Sequence, residues 1–518
     1  MPRRDGTSSL RTRPRWPVRS TSLTGRVRPL DGRLVGLEFG PLLRVCGLLL
    51  VGLALAMVVP MLADLSVGHE DWEVFLASAA LTLFAGAALV LANRGADFRA
   101  LTMRQVFMLT TLAWTTTAAF AALPLAFSAL DLSLADAVFE AVSGITTTGA
   151  TVITGLDSAP PGILLWRGIL QWLGGIGIIV TGVAILPVLS VGGMQLFRSE
   201  SSDRSEKVLP RSAQIASAIG GVYVGLTLAC LLTYWRLGMT LFEATVHAMT
   251  TVATGGYSTS DASIGHFASP GIEWAAILFM ATGGVPFVLY LQALRGRPAQ
   301  LLGDVQVQWY FAVLAAASLL LAAWLVRVQA VEPLEALRSA AFTATSIMTG
   351  TGYASTDYGQ WGTFPIILLF FLKCTGGCTG STTGGIKMFR FVVLYQVARM
   401  QMARLVQPSV VFKMTYNGRA IGEQTAISVM AFFFVFALSF TTVAGLLAAL
   451  GLDYLTAMSA SVSALANVGP GLGPIIGPAG HFGDLPEAAK WVLSAAMLLG
   501  RLELFTVLVL FTPLFWRG

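Results

Sequence analysis

The sequence predicts an all-α polytopic membrane protein, in which four membrane–pore-helix–membrane repeats are arranged pseudo-fourfold around one pore and follow two extra transmembrane helices. Of its 518 residues, 55% are hydrophobic and only 12% are charged, whereas soluble proteins carry about a quarter charged residues. Apolar runs recur from Gly40 to Phe515, and runs of roughly 20 residues are long enough to cross a bilayer core. A glycine-centred turn between apolar segments occurs four times, which is typical of an internal repeat.

The N-terminal segment, residues 1–38, is a basic leader that we expect to be cytoplasmic and attracted to anionic membrane lipids. The net charge of +6 could suggest a nucleic-acid partner. The other basic residues, however, cluster in alternate loops such as Arg198–Arg211 and Lys387–Arg419, as the positive-inside rule predicts. The charge pattern therefore indicates membrane orientation and argues against nucleic acid.

The transmembrane part divides into a prefix and four repeats. Two apolar spans form a two-helix prefix over residues 39–95. The predicted repeats cover residues 104–190, 212–296, 307–405 and 420–516. Only in the third repeat do we expect the second helix to be broken.

Each repeat contains a lead-in of about a dozen residues that is too short to span the bilayer and is therefore predicted to be re-entrant. The lead-ins end at turns centred on Gly149, Gly255, Gly352 and Gly469. The partly negative C-terminus of such a helix would favour a cation at the turn. The alternative is that these are four extracellular glycine loops without a transport role, but four such turns in register favour a pore.

Three acidic residues of the lead-ins, Asp136, Glu140 and Glu243, are predicted to lie at the outer helix ends. Their simplest role is capping and compensation of the helix dipole. A secondary possibility is that they attract cations to an outer vestibule.

The second helix of the third repeat is interrupted by a tract rich in glycine and hydroxyl residues, Thr375–Gly385. Such a glycine density disfavours a continuous helix, and broken helices occur where ions pass through a membrane. We interpret the tract as a gate below the turns. The alternative is close helix packing through small residues.

Two basic residues lie at membrane depth. Placing the charged side chain of Arg501 at this depth costs free energy unless the side chain faces water or a partner. We therefore expect Arg501 to bind carbonyl groups of the Thr375–Gly385 tract and to repel cations. The alternative is an ion pair with another helix, for which Glu503 is not an obvious partner. Lys373 precedes the tract and either lines a cavity or extends from a buried stem, and its role stays open.

The chemistry-bearing residues exclude several other functions. The four cysteines, Cys46, Cys230, Cys374 and Cys378, have no histidine or cysteine companions at zinc-ligand spacing, so free thiols are expected. No catalytic constellation or nucleotide-binding loop is present in the sequence. We therefore predict a protein that is not an enzyme and that holds no cofactor.

Three segments, Asn467–Gly473, Gly376–Lys387 and Gly500–Phe505, resemble the Trk/Ktr/HKT superfamily of potassium transporters. The similarity extends over nearly the whole chain from Gly40, and the two prefix helices favour the TrkH-type bacterial potassium uptake subunits. The resemblance implies potassium as the substrate, bound by backbone carbonyls of a selectivity filter. The implied filter residues are Thr147, Thr148, Gly149, Ala253, Thr254, Gly255, Gly350, Thr351, Gly352, Asn467, Val468 and Gly469.

The resemblance also implies ion preference and gating. Gly149 stands where some sodium-permeable relatives carry serine, so potassium is expected to be preferred, although four unlike turns predict only moderate selectivity. The implied gate comprises Thr375, Gly376, Gly377, Gly380, Ser381, Thr382, Thr383, Gly384, Gly385 and Arg501.

The same resemblance implies a homodimer with one pore per protomer, a peripheral cytoplasmic nucleotide-binding regulatory subunit of TrkA type, and location in the bacterial cytoplasmic (inner) membrane with the N-terminus inside. Two alternatives remain open. One is a symporter coupled to protons or sodium, which should show a buried carboxylate, and the other is a less selective monovalent cation channel.

Overall fold

The structure, a computed structural model, describes residues 38–96, 101–181, 208–410 and 413–517, with backbone only for 208–215. Residues 1–37 of the predicted leader, the end of the first repeat at 182–190 and most of the basic loop Arg198–Arg211 lie outside the described residues.

The described part of the chain is mostly helical. Its α-helices are α1 (Gly40–Val67), α2 (Asp71–Ala92), α3 (Met103–Ala121), α4 (Leu123–Ala126), α5 (Leu134–Ile145), α6 (Pro161–Val180), α7 (Val208–Arg236), α8 (Leu241–Val252), α9 (Pro270–Gly283), α10 (Phe287–Leu294), α11 (Ala299–Gly303), α12 (Val305–Val328), α13 (Pro333–Thr349), α14 (Thr363–Cys374), α15 (Met388–Val406), α16 (Glu423–Ala449), α17 (Tyr454–Ala466), α18 (Glu487–Arg501), α19 (Phe505–Leu508) and α20 (Pro513–Arg517). Short 3₁₀ turns occupy Leu156–Ser158, Ser263–Phe267, Tyr358–Trp361 and Val509–Phe511.

Seven of the described helices are long and apolar enough to cross a membrane, and nine spans result if each of two bent helix pairs counts as one. The prediction of a polytopic helical membrane protein is therefore confirmed. The one departure from an all-α chain is a small antiparallel hairpin, β1 (Thr415–Tyr416) and β2 (Arg419–Ala420). Its Asn417-Gly418 turn has positive φ at both residues, a recognised hairpin signal that the sequence interpretation missed.

The prefix helices α1 and α2 pack against each other through small residues. A methyl group on Gly47 would lie 2.8 Å from the carbonyl oxygen of Gly86, and the same holds in reverse. The helix α1 also packs on α3 and α6, and Asp64 accepts a hydrogen bond of 2.6 Å from the N–H of Gly162 in the first turn of α6. The prefix thereby supports the first repeat.

Four short helices, α5, α8, α13 and α17, contain 12, 12, 17 and 13 residues. At 1.5 Å per residue the shortest is about 18 Å long, too short to cross a bilayer core. The side chains of Ser133, Thr240, Glu332 and Asp453 cap their N-termini. These caps satisfy backbone N–H groups that would otherwise be unpaired.

Each short helix packs between a longer helix before it and a returning helix after it, as in α3–α5–α6 and α16–α17–α18. The returning helices also contact the next short helix in the order α6–α8, α9–α13, α14–α17 and α18–α5. This order of contacts closes on itself and brings the four short-helix C-termini to one centre.

The expectation that only the third repeat has a broken second helix is wrong. The α9–α10 pair is bent by 94° and the pair formed by Glu487–Arg501 and Phe505–Phe511 by 104°. At the first bend, Pro286 follows Gly283 and Gly284, and proline cannot donate the backbone hydrogen bond that continues a helix. At the second, Glu503 adopts a left-handed φ of 62°.

Candidate functional site

The turns that follow the four short helices begin with the same backbone conformation, and this common start aligns them residue by residue; the turns differ at their glycines, where Gly149, Gly256 and Gly352 have positive φ and Gly469 does not. The first residue of each turn is left-handed, with φ of 53° at Thr147, 52° at Thr254, 77° at Gly350 and 54° at Asn467. Each next residue, Thr148, Gly255, Thr351 and Val468, then precedes a glycine. A left-handed conformation is uncommon for residues other than glycine and is usually maintained by the surrounding structure.

This alignment corrects the position of the second turn. Gly256, with φ of 82°, corresponds to Gly149 and Gly352, which both have φ of 80°. The sequence prediction, centred on Gly255, places this turn one residue too early, because Ala253 still has helical dihedrals at the end of α8. The structurally equivalent triplet is therefore Thr254-Gly255-Gly256 rather than Ala253-Thr254-Gly255.

The four turns contact one another in a closed ring. A methyl group on Gly149 would overlap the carbonyl oxygen of Gly255, and one on Gly256 would overlap that of Thr351. On Gly352 it would lie 2.7 Å from Cδ of Pro470, and on Gly469 it would lie 2.7 Å from the carbonyl oxygen of Gly149. A side chain at these glycines would therefore displace the neighbouring turn.

Most carbonyl groups of this ring lack a hydrogen-bond donor among the described residues. The exceptions are Gly255, whose oxygen accepts from Nε2 of Gln171 at 2.7 Å, and Val468 and Gly469, which accept from Oγ of Ser463. The carbonyl groups without a donor belong to Thr147, Thr148, Gly149, Thr254, Gly256, Gly350, Thr351, Gly352 and Asn467. Because buried carbonyl groups are nearly always paired, this ring is suited to hold water or a cation.

A buried ion pair between α5 and α6 contacts residues next to the first and second turns. Arg167 Nε lies 2.8 Å from Oε1 of Glu140, and both side chains are almost fully buried. Arg167 also donates to the carbonyl group of Ser258 at 3.0 Å and stacks 4.1 Å from the ring centre of Tyr257. The prediction that Glu140 caps an outer helix end is wrong, because this residue lies inside α5 and faces α6.

The sequence interpretation missed Arg167 and Gln171 although a signal for them exists. They lie four residues apart in the otherwise apolar α6, so they share one face of the helix. Polar residues inside a membrane helix commonly mark functional positions.

A cavity of about 80 Å³, which we call the outer vestibule after its predicted position, adjoins the ring and is lined by Gly149, Gly256, Gly352 and Gly469. Its carboxylate is Asp261, which accepts from the N–H groups of Gly155 and Leu156 at 2.9 and 3.2 Å.

The three acidic residues predicted for such a vestibule have other partners. Asp136 lies 2.5 Å from Nζ of Lys490, Glu140 pairs with Arg167, and Glu243 completes the capping box of Thr240. The predicted role at a helix N-terminus is confirmed for Glu243 and also for Asp136, which lies in the first turn of α5 and accepts a hydrogen bond of 2.8 Å from Oγ of the N-cap residue Ser133.

The Thr375–Gly385 tract is non-helical and lies against the α9–α10 bend. The N–H groups of Cys378 and Thr382 donate to the carbonyl groups of Gly284 and Gly283 at 2.9 and 3.3 Å. Oγ1 of Thr382 also lies 3.1 Å from Oγ1 of Thr254 in the second turn. The tract thus contacts the underside of the ring.

Close packing of small residues is also present in the tract. Methyl groups on Gly376 and Gly384 would overlap the carbonyl oxygens of Gly384 and Ala466, respectively. The contacts of the tract therefore agree with both interpretations, a gate below the turns and close helix packing through small residues.

Arg501 ends α18 and is 2% exposed. Its Nη1 donates to the carbonyl oxygen of Thr382 at 3.1 Å, while Nε and Nη2 meet no acceptor among the described residues. A cavity of about 20 Å³ beside it is lined by Lys387, Asn467 and Glu503, among others, and has room for about one water molecule.

The alternative of an ion pair for Arg501 has no support among the described carboxylates. Glu503 instead lies 2.5 Å from Nη2 of Arg390, whose guanidinium group stacks 3.6 Å from the ring centre of Phe432. The buried Lys387 donates from Nζ to the carbonyl oxygen of Thr383. Lys373 is also buried, and its Nζ donates to the carbonyl oxygen of Pro470.

The sequence of the chain is similar to those of cation transport proteins. A family model, TrkH, described as a cation transport protein, matches residues 72–516. The Trk system potassium uptake protein TrkI of Halomonas elongata is 47% identical over 484 residues, which cover 93% of this chain and 97% of that protein. The Trk system potassium uptake protein TrkH of Escherichia coli is 38% identical over 489 residues, with 93% and 100% covered.

A solved structure is similar over the same range. The crystal structure of the potassium transporter TrkH from Vibrio parahaemolyticus matches with a TM-score of 0.85 and 37% identity, covering 93% of this chain and 100% of that one. This agreement supports the helical membrane architecture independently of the span lengths.

Proposed function

The chain belongs to the TrkH family of cation transport proteins, and from that premise we propose that it carries potassium ions across the cytoplasmic membrane into the cell. It is an integral membrane transporter and not an enzyme, as the sequence predicts. Potassium is taken from the names of its relatives, which are Trk system potassium uptake proteins.

The observation that carries the proposal is the ring of carbonyl groups without hydrogen-bond donors at the four turns. A dehydrated potassium ion needs several oxygen ligands in place of its water shell, and carbonyl rings provide them in selective channels. The C-termini of the four short helices add partial negative charge at the same centre. We propose that Thr147–Gly149, Thr254–Gly256, Gly350–Gly352 and Asn467–Gly469 form the filter.

The gate is proposed to consist of the Thr375–Gly385 tract and Arg501. Permeating ions would have to pass the tract below the ring, and the guanidinium group next to Thr382 adds a positive charge that opposes them. The hydrogen bond between Arg501 and the Thr382 carbonyl group would hold this closed arrangement. Opening would then require that the tract and Arg501 separate.

A regulatory subunit and a second copy of the chain complete the proposal. The relatives belong by name to a Trk system, which favours a protein of several components. We propose a peripheral cytoplasmic nucleotide-binding subunit, a homodimer with one pore in each protomer, and a cytoplasmic N-terminus in the bacterial inner membrane.

Passage without coupling to another ion is favoured over symport by the partners of the buried carboxylates. Glu140 and Glu503 are paired with Arg167 and Arg390. Asp64 accepts from the N–H of Gly162 through Oδ1; its Oδ2 has no described partner, but this residue belongs to the prefix helix α1 and not to the four turns. A symporter normally needs a buried acidic group that can bind the coupling ion.

The test is potassium flux through the purified full chain in sealed liposomes without a proton or sodium gradient. The proposal expects potassium uptake driven by the potassium gradient alone. Uptake that appears only when a proton or sodium gradient is imposed would support the symporter instead. If the chain, expressed with its regulatory subunit, also fails to restore growth of a potassium-uptake-deficient bacterium at low potassium, the proposed function is wrong.

A further inference from the structure

Lys373 is a buried cation that the proposed filter and gate do not use. It is the penultimate residue of α14, its exposed fraction is 0%, and no carboxylate among the described residues forms an ion pair with it. Its one described acceptor is the carbonyl oxygen of Pro470. Lysine is rarely buried without a carboxylate partner because its ammonium group loses its hydration. The contact with the Pro470 carbonyl group is therefore unusual and points to a specific role.

Pro470 directly follows the glycine of the fourth turn and also contacts the third. A methyl group on Gly352 would lie 2.7 Å from Cδ of Pro470 and 3.1 Å from the N atom of Gly469. Pro470 also lines the outer vestibule. The position of this residue therefore determines both the outer end of the fourth turn and its distance from the third.

In two other turns, the residue that follows the glycine is equivalent to Pro470, and its carbonyl group accepts hydrogen bonds from neutral donors only. Ala150 accepts from Oγ of Ser143 at 2.6 Å and from the hydroxyl group of Tyr257 at 3.2 Å. Tyr353 accepts from Oγ of Ser346 at 2.7 Å. Each of these serines lies six residues before the glycine of its own turn.

In the fourth turn the equivalent serine, Ser463, lies 3.2 Å from the carbonyl oxygen of Pro470 and is also engaged with the carbonyl group of Val468. The neutral donor is thus shared, and Lys373 supplies a charged one. Hydrogen bonds to charged donors are stronger than those between neutral groups, so the ammonium group restrains Pro470 more strongly than a second neutral donor would.

We propose that Lys373 is a positioning residue for ion selectivity, which holds the outer end of the fourth turn through the Pro470 carbonyl group. This inference rests on the proposed filter. Selection of potassium over the smaller sodium ion depends on the spacing and number of the carbonyl ligands. A fourth turn released from Lys373 can close around the smaller ion, so its loss should reduce discrimination rather than only total flux.

The test compares sodium and potassium fluxes of the full-length chain in liposomes for wild type, Lys373→Met and Lys373→Arg. Methionine has a similar length but neither charge nor donor, and arginine keeps both. We expect the sodium-to-potassium flux ratio of Lys373→Met to rise at least about threefold, a modest fraction of what one charge-assisted hydrogen bond contributes. Lys373→Arg should keep a ratio close to that of wild type.

The matched control is Lys413→Met, which removes an exposed lysine and should leave the ratio unchanged. An unchanged ratio in folded Lys373→Met would overturn the inference while leaving the proposed function intact. If that variant does not fold, Lys373→Gln is measured in the same way. Its shorter, neutral side chain should also raise the ratio, and a wild-type ratio would again overturn the inference. A wild-type chain that shows no potassium flux even together with its regulatory subunit would instead refute the proposed function, and this inference with it.

Discussion

The alignment of the second turn can be tested by placing alanine at each of its two glycines. At Gly256 the backbone is left-handed, where a residue with a Cβ costs about 1–2 kcal/mol more than glycine. The new methyl group would also overlap the backbone oxygen of Thr351 in the next turn. Because that oxygen belongs to the proposed filter, Gly256→Ala should displace two of the four turns at once.

At Gly255 the same change meets a different environment. Its φ is not left-handed, and a methyl group there would press on the side chain of Gln171, which can rotate away. The cost is the hydrogen bond from Gln171 to the Gly255 carbonyl group, worth about 0.5–1.5 kcal/mol. Gly255→Ala should therefore be the milder variant.

The assay is potassium flux and the sodium-to-potassium flux ratio in liposomes, normalised to the amount of folded protein. Since each 1.4 kcal/mol corresponds to a factor of about ten, Gly256→Ala should lose at least about tenfold in potassium flux. Gly255→Ala should lose roughly threefold. If Gly255→Ala were the more severe change, the alignment by backbone conformation would be refuted. The sequence prediction, in which Gly255 is the central glycine of the second turn, would then be correct.

Three further predictions concern the gate, the ion pair behind the ring and one helix cap. Arg501→Ala should raise potassium flux in the absence of the regulatory subunit, because it removes a positive charge and the bond to Thr382; unchanged flux and regulation would exclude the gate role. Arg167→Met should destabilise the protein by about 3–5 kcal/mol, since it leaves Glu140 buried without its partner, and thermal unfolding of the double variant with Glu140→Gln should recover much of this loss. Asp453 accepts from the N–H group of Thr456 at 3.1 Å, and the nearby hydroxyl and N–H groups of Thr456 lower the pKa of the Asp453 carboxyl group. A carboxyl group with a lowered pKa stabilises the folded state at pH values above its unfolded pKa of about 3.9. This stabilisation should be lost as the pH drops through the pKa of the folded state. Asp453→Asn should therefore weaken the dependence of the free energy of unfolding on pH in the acid range.

Several local features could be predicted because they depend on residues close together in the chain. The short helices begin near the residues expected from capping chemistry, and their lengths follow from the apolar segment before each glycine turn. The hydrogen bond between Arg501 and the Thr375–Gly385 tract was also anticipated, because a guanidinium group at membrane depth needs acceptors and the tract supplies free carbonyl groups. In each case the physical requirement is visible within one segment or one pair of segments.

The errors arose where distant segments decide the structure. Whether the second turn begins at Ala253 or at Thr254 depends on how this turn meets Thr351, and the composition of the turn does not encode this. The partner of Glu140 is Arg167, and that of Lys373 is Pro470. These contacts join segments that are far apart in the sequence, so no periodicity within either segment reveals them.

The amino-acid sequence by itself determined that this protein is a helical membrane transporter with four glycine turns, since bilayer length, charge placement and the dihedral freedom of glycine are local properties. Only the tertiary structure decided which glycine of the second turn faces its neighbours, which helices bend and which buried charges are paired. The reason is that these features follow from the closure of four unlike segments around one centre, where every turn is positioned by the turn beside it.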